Sequence, residues 1–276
     1  MELSVCLDPR RSWADQRAVA LAAEAAGYAG VWVCDHFMPL PGDDRPVLEG
    51  WTSLTALAAA TDRLRLGTLV LGAGYRHPAV VASMAATLDH VSGGRVVLGL
   101  GAGWQENEHA AYGIPLLPPP ARLAMFEEYV VAIRSLLRDP VTDLDGEHWT
   151  LRAATCEPKP VQPALPLLVG GAGRQRTLRV AARLGDQWHV WGPADRFAEV
   201  SAVLDERCAE AGRDPATIRR LSGEVVGPEL TDAELGRLLA GYRTAGADEF
   251  VLRDHSDLDP QGTVRSLERV ARALGR

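Results

Sequence analysis

Cysteine, methionine and aromatic side chains are sparse in this chain, and long runs of one charge are missing. The four cysteines, Cys6, Cys34, Cys156 and Cys208, stand far apart in sequence, so neither a disulfide framework nor a zinc knuckle is indicated. Two of them fall in apolar strand-like runs, where a buried thiol is the simplest account. No basic run accompanies the formal net charge of −7, which leaves a nucleic-acid backbone little to hold and argues against that partner. No uninterrupted apolar segment is long enough to span a bilayer. The amino end, Met1-Glu2-Leu3-Ser4, lacks the basic start and apolar stretch of a signal peptide, so the expectation is a cytoplasmic protein. No serine or cysteine sits in a nucleophile motif, and covalent hydrolysis has no support. His36, Glu106, Glu108, His109 and His255 could be combined on paper as metal ligands, but short-spaced ligand pairs are lacking, and no metal is expected.

What the chain does have is apolar substance, 47% of 276 residues against 24% charged, enough for one large soluble domain. Its most distinctive stretch reads Arg95-Val-Val-Leu-Gly-Leu-Gly-Ala-Gly-Trp-Gln-Glu-Asn-Glu108. The apolar start suits a strand covered on both faces. Gly99, Gly101 and Gly103 then remove side chains where the strand ends. Either a flat ligand lies against bare backbone there, or the glycines make a tight connection to the helix that Glu106 and Glu108 open.

Around this stretch, strand and helix patterns alternate. Strands are expected at 2–7, 30–34, 64–71, 95–101, 165–171, 187–191, 221–226 and 249–253, and helices at 12–26, 51–61, 78–91, 174–184, 197–211, 232–245 and 261–274. Between the fourth and fifth strands, residues 112–164 break the rhythm. Three consecutive prolines within 116–121 argue against regular structure, 122–138 is a well-patterned helix, and 143–151 reads as a small hairpin. This excursion is too short to enclose its own core. Eight parallel strands alternating with helices predict a single α/β domain, a (β/α)8 TIM barrel, which takes roughly 250 residues. A doubly wound open sheet is the competing arrangement, but it wants its dinucleotide glycines near the first strand.

In such a barrel the chemistry gathers at the carboxyl ends of the strands. There the chain places Asp8, Asp35-His36, Gly72-Ala73-Gly74, Gly101 to Trp104, Gly170-Gly171-Ala172-Gly173, Trp188 to Trp191 and Arg253-Asp254-His255. His36 can exchange protons near neutral pH, with a neighbouring carboxylate or carbonyl setting its tautomer; the structural alternative is an aspartate that caps the loop and a histidine that packs. The Gly170–173 run, followed by Arg174, offers backbone N–H groups at a helix start beside a cation, suited to a phosphate or carboxylate. Trp188, His189 and Trp191 could line a pocket for a flat ring or belong to the core. His77, before Pro78, reads as an extended entry to a helix.

Taken in order, these residues carry a family resemblance. Asp35-His36-Phe37, Gly67-Thr68-Leu69-Val70, Arg76-His77-Pro78, Leu88-Asp89-His90-Val91-Ser92-Gly93-Gly94-Arg95, the Gly-Leu-Gly-Ala-Gly-Trp run with Glu108 beyond it, Pro158-Lys159-Pro160, Gly170-Gly171 and Leu184-Gly185-Asp186-Gln187-Trp188 resemble the bacterial luciferase-like monooxygenase superfamily. Within it, the chain is most similar to the oxidoreductases dependent on the deazaflavin coenzyme F420. The resemblance spans nearly the whole length and implies a flat tricyclic cofactor at the carboxyl end of the barrel. It also implies a non-proline cis peptide at Leu69-Val70 behind the ring. Asp35 and His36 would flank the ring, Gly101, Ala102 and Gly103 would lie near it, and the backbone at Gly170 and Gly171 would receive the phosphate of the cofactor tail. Leu69, Val70, Glu108, Gly173 and Trp188 complete the expected cofactor-binding set. The implied activity is hydride transfer between coenzyme F420 and a small organic substrate, with His36 as proton donor or acceptor and Asp35 orienting it or touching the cofactor. The alternatives are a monooxygenase fed reduced FMN by a separate reductase, and a barrel that binds cofactor without catalysis. Relatives are often dimers, and exposed apolar residues of the early helices permit a homodimer. Members that oxidise a sugar phosphate carry a tryptophan a few residues after the Asp-His pair and a glutamate straight after the glycine run. This chain has Leu40 and Trp104 there and no lysine and arginine cluster for a substrate phosphate, so the substrate stays open.

Overall fold

The computed structural model describes residues 1–254 and 259–275. In chain order the strands are β1 (Glu2–Cys6), β2 (Gly30–Val33), β3 (Arg65–Thr68) with its continuation β4 (Leu71–Gly72), β5 (Val96–Gly101), a separate antiparallel hairpin of β6 (Thr142–Asp145) and β7 (Thr150–Ala154), then β8 (Leu167–Gly170), β9 (Gln187–Trp191), β10 (Arg219–Gly223) and β11 (Glu249–Arg253). All but the hairpin pair in parallel, and the sheet closes on itself because β1 pairs with β11 and β3 with β5. This is the expected eight-stranded barrel.

The helices are α1 (Trp13–Ala25), α2 (Gly50–Ala60), α3 (Pro78–Ser92), α4 (Glu106–Tyr112), α5 (Pro119–Arg138), α6 (Thr177–Leu184), α7 (Ala194–Glu210), α8 (Asp232–Thr244) and α9 (Pro260–Ala273). Local signals account for their ends. Ser12 accepts from the Asp15 N–H, Thr231 and Glu234 form a reciprocal capping box, and Gly93 stops α3 in the left-handed region at φ 67°. The proline run departs from the sequence expectation. Pro119 and Pro120 open α5 instead of lying outside it, because the first helical turn needs no N–H donor and suits the fixed proline φ. Residues 116–118 remain irregular. α5 packs between α3 and α6 and so serves as the ring helix of the fourth unit. Strand three also departs: it is interrupted at Leu69-Val70, where the peptide bond is cis.

The core has two layers. Apolar faces of the helices pack on the outside of the sheet, while Cys6, Trp32, Leu69, Val97, Leu168, Leu221 and Val251 fill the barrel itself. Gly67 makes room for Trp32, whose Cζ3 would lie 2.2 Å from an added Cβ. Below Trp32 the amino end is sealed by charge. The Trp32 Nε1–H donates to Ser4 at 2.9 Å and to Glu249 at 3.2 Å, and the buried Glu249 carboxylate pairs with Arg65 at 2.7 Å and Arg219 at 3.0 Å. With that end closed, the open rim lies at the carboxyl ends of the strands.

Candidate active site

Past the end of β2 the chain turns through Cys34, Asp35 and His36 onto this rim. There a cavity of about 420 Å³ opens, within the range of ligand pockets. Nine of the residues expected at the site line it: Asp35, His36, Leu69, Val70, Gly101, Ala102, Gly103, Gly170 and Gly171. Loops from four different strands therefore converge on one cleft.

The glycines act differently from the sequence expectation. An added Cβ would lie 1.9 Å from the Thr68 carbonyl oxygen at Gly99, 2.5 Å from Val70 Cγ2 at Gly101 and 2.8 Å from Val70 Cγ1 at Gly170. Gly99, Gly101 and Gly170 thus yield space to the segment at Thr68-Val70, and it is Val70 that presents a wall to the cavity. Gly103 and Gly171 adopt φ of 81° and 127°, which suits glycine where the chain turns along the cleft.

His36 is held by Glu108, not by Asp35. The Nδ1–H donates to Glu108 Oε1 at 2.9 Å, Tyr75 O–H donates to the same oxygen, and the N–H groups of Phe37 and Met38 donate to Oε2 at 2.9 and 3.3 Å. Burial alone would depress the imidazole, but the Glu108 bond, with Cys34 and Asp35 nearby, outweighs it and lifts the His36 pKa above the ordinary value. The same donors hold the Glu108 carboxylate low against the opposing effect of burial. Glu108 has no exposed side-chain surface and does not line the cavity; it positions the 36–38 loop. Because Nδ1 is committed, Nε2 is the ring nitrogen left for a ligand.

Asp35 faces elsewhere. It accepts from Arg76 Nη1 at 2.9 Å and from the Gly72 N–H at 3.0 Å, while Arg76 Nη2 donates to Glu49 at 2.7 Å. Burial still leaves the Asp35 pKa above the ordinary value despite Arg76. The expected orienting role toward His36 is therefore corrected: the short Asp35 side chain is engaged with Arg76 and the Gly72 N–H, and the longer Glu108 reaches the imidazole.

Strand parity sorts the β9 residues, since successive side chains point to opposite faces. His189 and Trp191 face inward and line the cavity, edge to face with ring centroids 4.4 Å apart. Burial lowers the His189 pKa to about 3, so its ring is neutral, and among the described residues its buried Nε2 has no hydrogen-bond partner. Trp188 faces outward, stacks on Phe197 and donates from Nε1 to the Gly171 carbonyl at 2.9 Å. It supports the rim from behind and does not line the cavity. Gly173 is likewise displaced, with an added Cβ lying 2.6 Å from Thr177 Oγ1. Helix α6 starts at Thr177, not at 174, and the exposed Arg174 lies near Glu199 at 3.9 Å. Among the described residues, the cation that lines the cavity is Arg196, near the start of α7.

Tyr75, Gly72, Trp104, Ala172, Thr177 and Arg196 also line the cavity. Pattern alone gave no sign of Arg196 or Thr177, and Trp188, expected in the cofactor-binding set, gives way to His189 and Trp191, a distinction the alternation of β9 could have signalled. Trp104 stands edge-on to His36 at 5.7 Å. These two rings separate the cleft from a second cavity of about 250 Å³, lined by Cys6, Cys34, Met38, Leu40 and Arg253 among others. His77 caps α3, its Nδ1 accepting from the Ala79 N–H. Asp89 and His90 serve the scaffold: Asp89 accepts from Gln162 and His90 Nε2 donates to the Lys159 carbonyl. His255 lies outside the described residues.

A model of the luciferase-like monooxygenase family matches residues 1–273. The chain belongs to that family. An uncharacterized protein of Mycobacterium tuberculosis (strain ATCC 25618 / H37Rv) is 36% identical over 71% of this chain and 74% of its own length. An F420-dependent glucose-6-phosphate dehydrogenase of Beutenbergia cavernae is 33% identical over 94% of this chain and 76% of its own. A solved F420-dependent secondary alcohol dehydrogenase, in complex with an F420-acetone adduct, superimposes with a TM-score of 0.89, covering 99% of this chain and 98% of its own at 22% identity. At that identity the likeness establishes the barrel fold and nothing finer.

Proposed function

We propose that this chain is an oxidoreductase that moves a hydride between coenzyme F420 and a small organic substrate. The observation that carries the reading is the junction at His36. A Glu108-held imidazole with Nε2 available stands at the border of a ring-sized cleft backed by Leu69-Val70 and a second, smaller cavity. The cleft fits the group: the unpartnered Nε2 of His189 offers a flat heterocycle a buried polar contact, and such an atom is costly to leave unpaired. The similarity to F420-dependent relatives supports the same reading.

When bound, a deazaflavin supplies a hydride carrier that does not readily activate oxygen. The chain supplies the rest. Glu108 fixes the tautomer of His36 and keeps its proton to higher pH, so that Nε2 can give a proton to a substrate carbonyl oxygen or take one from an alcohol. The backbone at Gly170, Gly171 and Ala172, with Thr177 and Arg196, would hold the tail phosphate. Leu7, Met38, Leu40 and Val47 line the second cavity together with the charged Asp8, Arg10, Asp43, Arg253 and Asp254, a lining that suits a small substrate with an apolar body and a polar group. Leu40 and Trp104 stand where sugar-phosphate-oxidising members differ, which argues against that substrate.

Titration of the purified protein with oxidised F420 and with FMN, followed by a substrate panel, tests this. F420 should bind at least about tenfold more tightly, a difference of about 1.4 kcal/mol, and turn over. Tighter FMN binding favours the reductase-fed monooxygenase, and tight F420 binding without turnover favours the non-catalytic barrel. The grooved α2–α3 face, where Val80 and Val91 are each 52% exposed, supports a homodimer. Sedimentation equilibrium should give the mass of two chains, and a one-chain mass refutes it.

A further inference from the structure

Cys6 and Cys34 lie 28 residues apart in sequence, yet parallel pairing of β1 with β2 brings their sulfurs to 3.8 Å. Both are free thiols on the inner wall of the barrel at its open end, Cys6 as the last residue of β1 and Cys34 just beyond β2. Both also line the second cavity, the Cys34 side of which is partly open, beside His36 and Arg253. Cys156 and Cys208 are buried, and among the described residues neither is hydrogen-bonded to another cysteine. The geometry points to a function for the near pair that the hydride-transfer reading does not use: Cys6 and Cys34 form a reversible disulfide, a peroxide-sensitive modification site on the wall of the second cavity.

Each thiol has a separate role. The Cys6 thiol, through its bond to Cys34, lowers the Cys34 pKa below the ordinary thiol value; burial opposes this, and the charges of His36 and Arg253 assist it. Cys6 is raised by the same bond and by its own burial. Cys34, on the partly open side of the cavity, is the nucleophile, and the buried Cys6, 3.8 Å away, is the resolving thiol. With hydrogen peroxide as oxidant, Cys34 sulfur attacks one peroxide oxygen. The O–O bond breaks, hydroxide leaves and is protonated to water, and Cys34 becomes a sulfenic acid. Cys6 sulfur then attacks Cys34 sulfur, the S–S bond forms, and the sulfenic oxygen leaves as a second water, taking up the Cys6 proton. Two thiols are oxidised by two electrons and one peroxide is reduced to two waters. The sulfurs must close from 3.8 Å to about 2.0 Å.

The test uses the intact protein treated with hydrogen peroxide, desalted, denatured and titrated for thiols, with peptide mapping after alkylation. Free thiols should fall from four to two, the map should contain a linked Cys6–Cys34 peptide, and dithiothreitol should restore all four. Cys34→Ser should lose none. Cys6→Ser should lose one, trapped by dimedone as sulfenic acid. Retention of all four wild-type thiols at peroxide levels that oxidise Cys6→Ser, loss at Cys156 or Cys208 instead, or Cys34 sulfinic acid with Cys6 still free would each overturn the proposal. If Cys6→Ser does not fold, the wild-type peptide map alone decides, because it either contains the linked peptide or does not. The readout is a thiol count, so the outcome is separate from whether F420 is the cofactor.

Discussion

Glu108→Gln is the substitution that most directly probes how the site is assembled. The carboxylate accepts from His36, Tyr75 and the N–H groups of Phe37 and Met38 with no exposed surface. Glutamine keeps the shape and one acceptor oxygen but turns an NH₂ toward donors that, among the described residues, have no other acceptor. Breaking a fully buried pair costs about 3–5 kcal/mol; because His36 is 23% exposed and can shed its proton, about 2–4 kcal/mol is expected here. For a domain of this size that lowers the thermal midpoint by about 3–7 °C. The pH dependence follows from linkage. The folded-state pKa of His36 is raised, so its stabilisation is complete below its unfolded value of about 6.5 and is lost as pH rises through the raised value. That of Glu108 is lowered, so its stabilisation is complete above about 4.3 and is lost as pH falls through the lowered value. Thermal melts across pH, with an NMR titration of the His36 ring, measure both. In the variant the His36 pKa should drop, because burial remains while its partner is gone, and turnover should fall with a shifted pH profile while cofactor affinity changes little. An unchanged midpoint with an unchanged His36 titration refutes the reasoning.

Other substitutions test neighbouring claims. His36→Ala should retain F420 binding and lose turnover by roughly 100- to 10,000-fold; steady-state rates at saturating cofactor that match wild type would remove its proton role. Arg76→Met strands the Asp35 carboxylate, whose side chain is 1% exposed, at an expected cost of about 3–5 kcal/mol. Adding Asp35→Asn should recover much of that loss in urea unfolding, and a strictly additive double variant would contradict the pairing. Gly170→Ala drives a Cβ to within 2.8 Å of Val70, so overpacking should cost about 1–3 kcal/mol and weaken F420 binding. Wild-type affinity and midpoint would show that Val70 yields without consequence.

The legible and illegible parts of this protein divide at the strand ends. The barrel could be read because each element announces itself locally: apolar strands of even length, helices capped by Ser12 and Thr231, glycine stops such as Gly93. Length then left room for eight repeats of one unit. Asp35-His36 and the glycines after β5 and β8 could be placed on a common rim for the same reason, since parallel strands deliver their carboxyl ends to one side. The cis bond at Leu69-Val70 was expected only through family resemblance; no spacing in the chain implies it.

Sequence by itself therefore determined the order of strands and helices and the end of the barrel that carries chemistry; it did not separate Trp188 from His189 and Trp191. Tertiary structure alone decided that Glu108, 72 residues away, grips His36 while Asp35 turns to Arg76, that the glycines make way for Val70, that Arg196 and not Arg174 stands at the cleft, and that Cys6 meets Cys34. The physical reason is range. Periodicity and capping act between residues a few positions apart, whereas which loop side chains meet depends on barrel closure, strand register and the reach of each side chain.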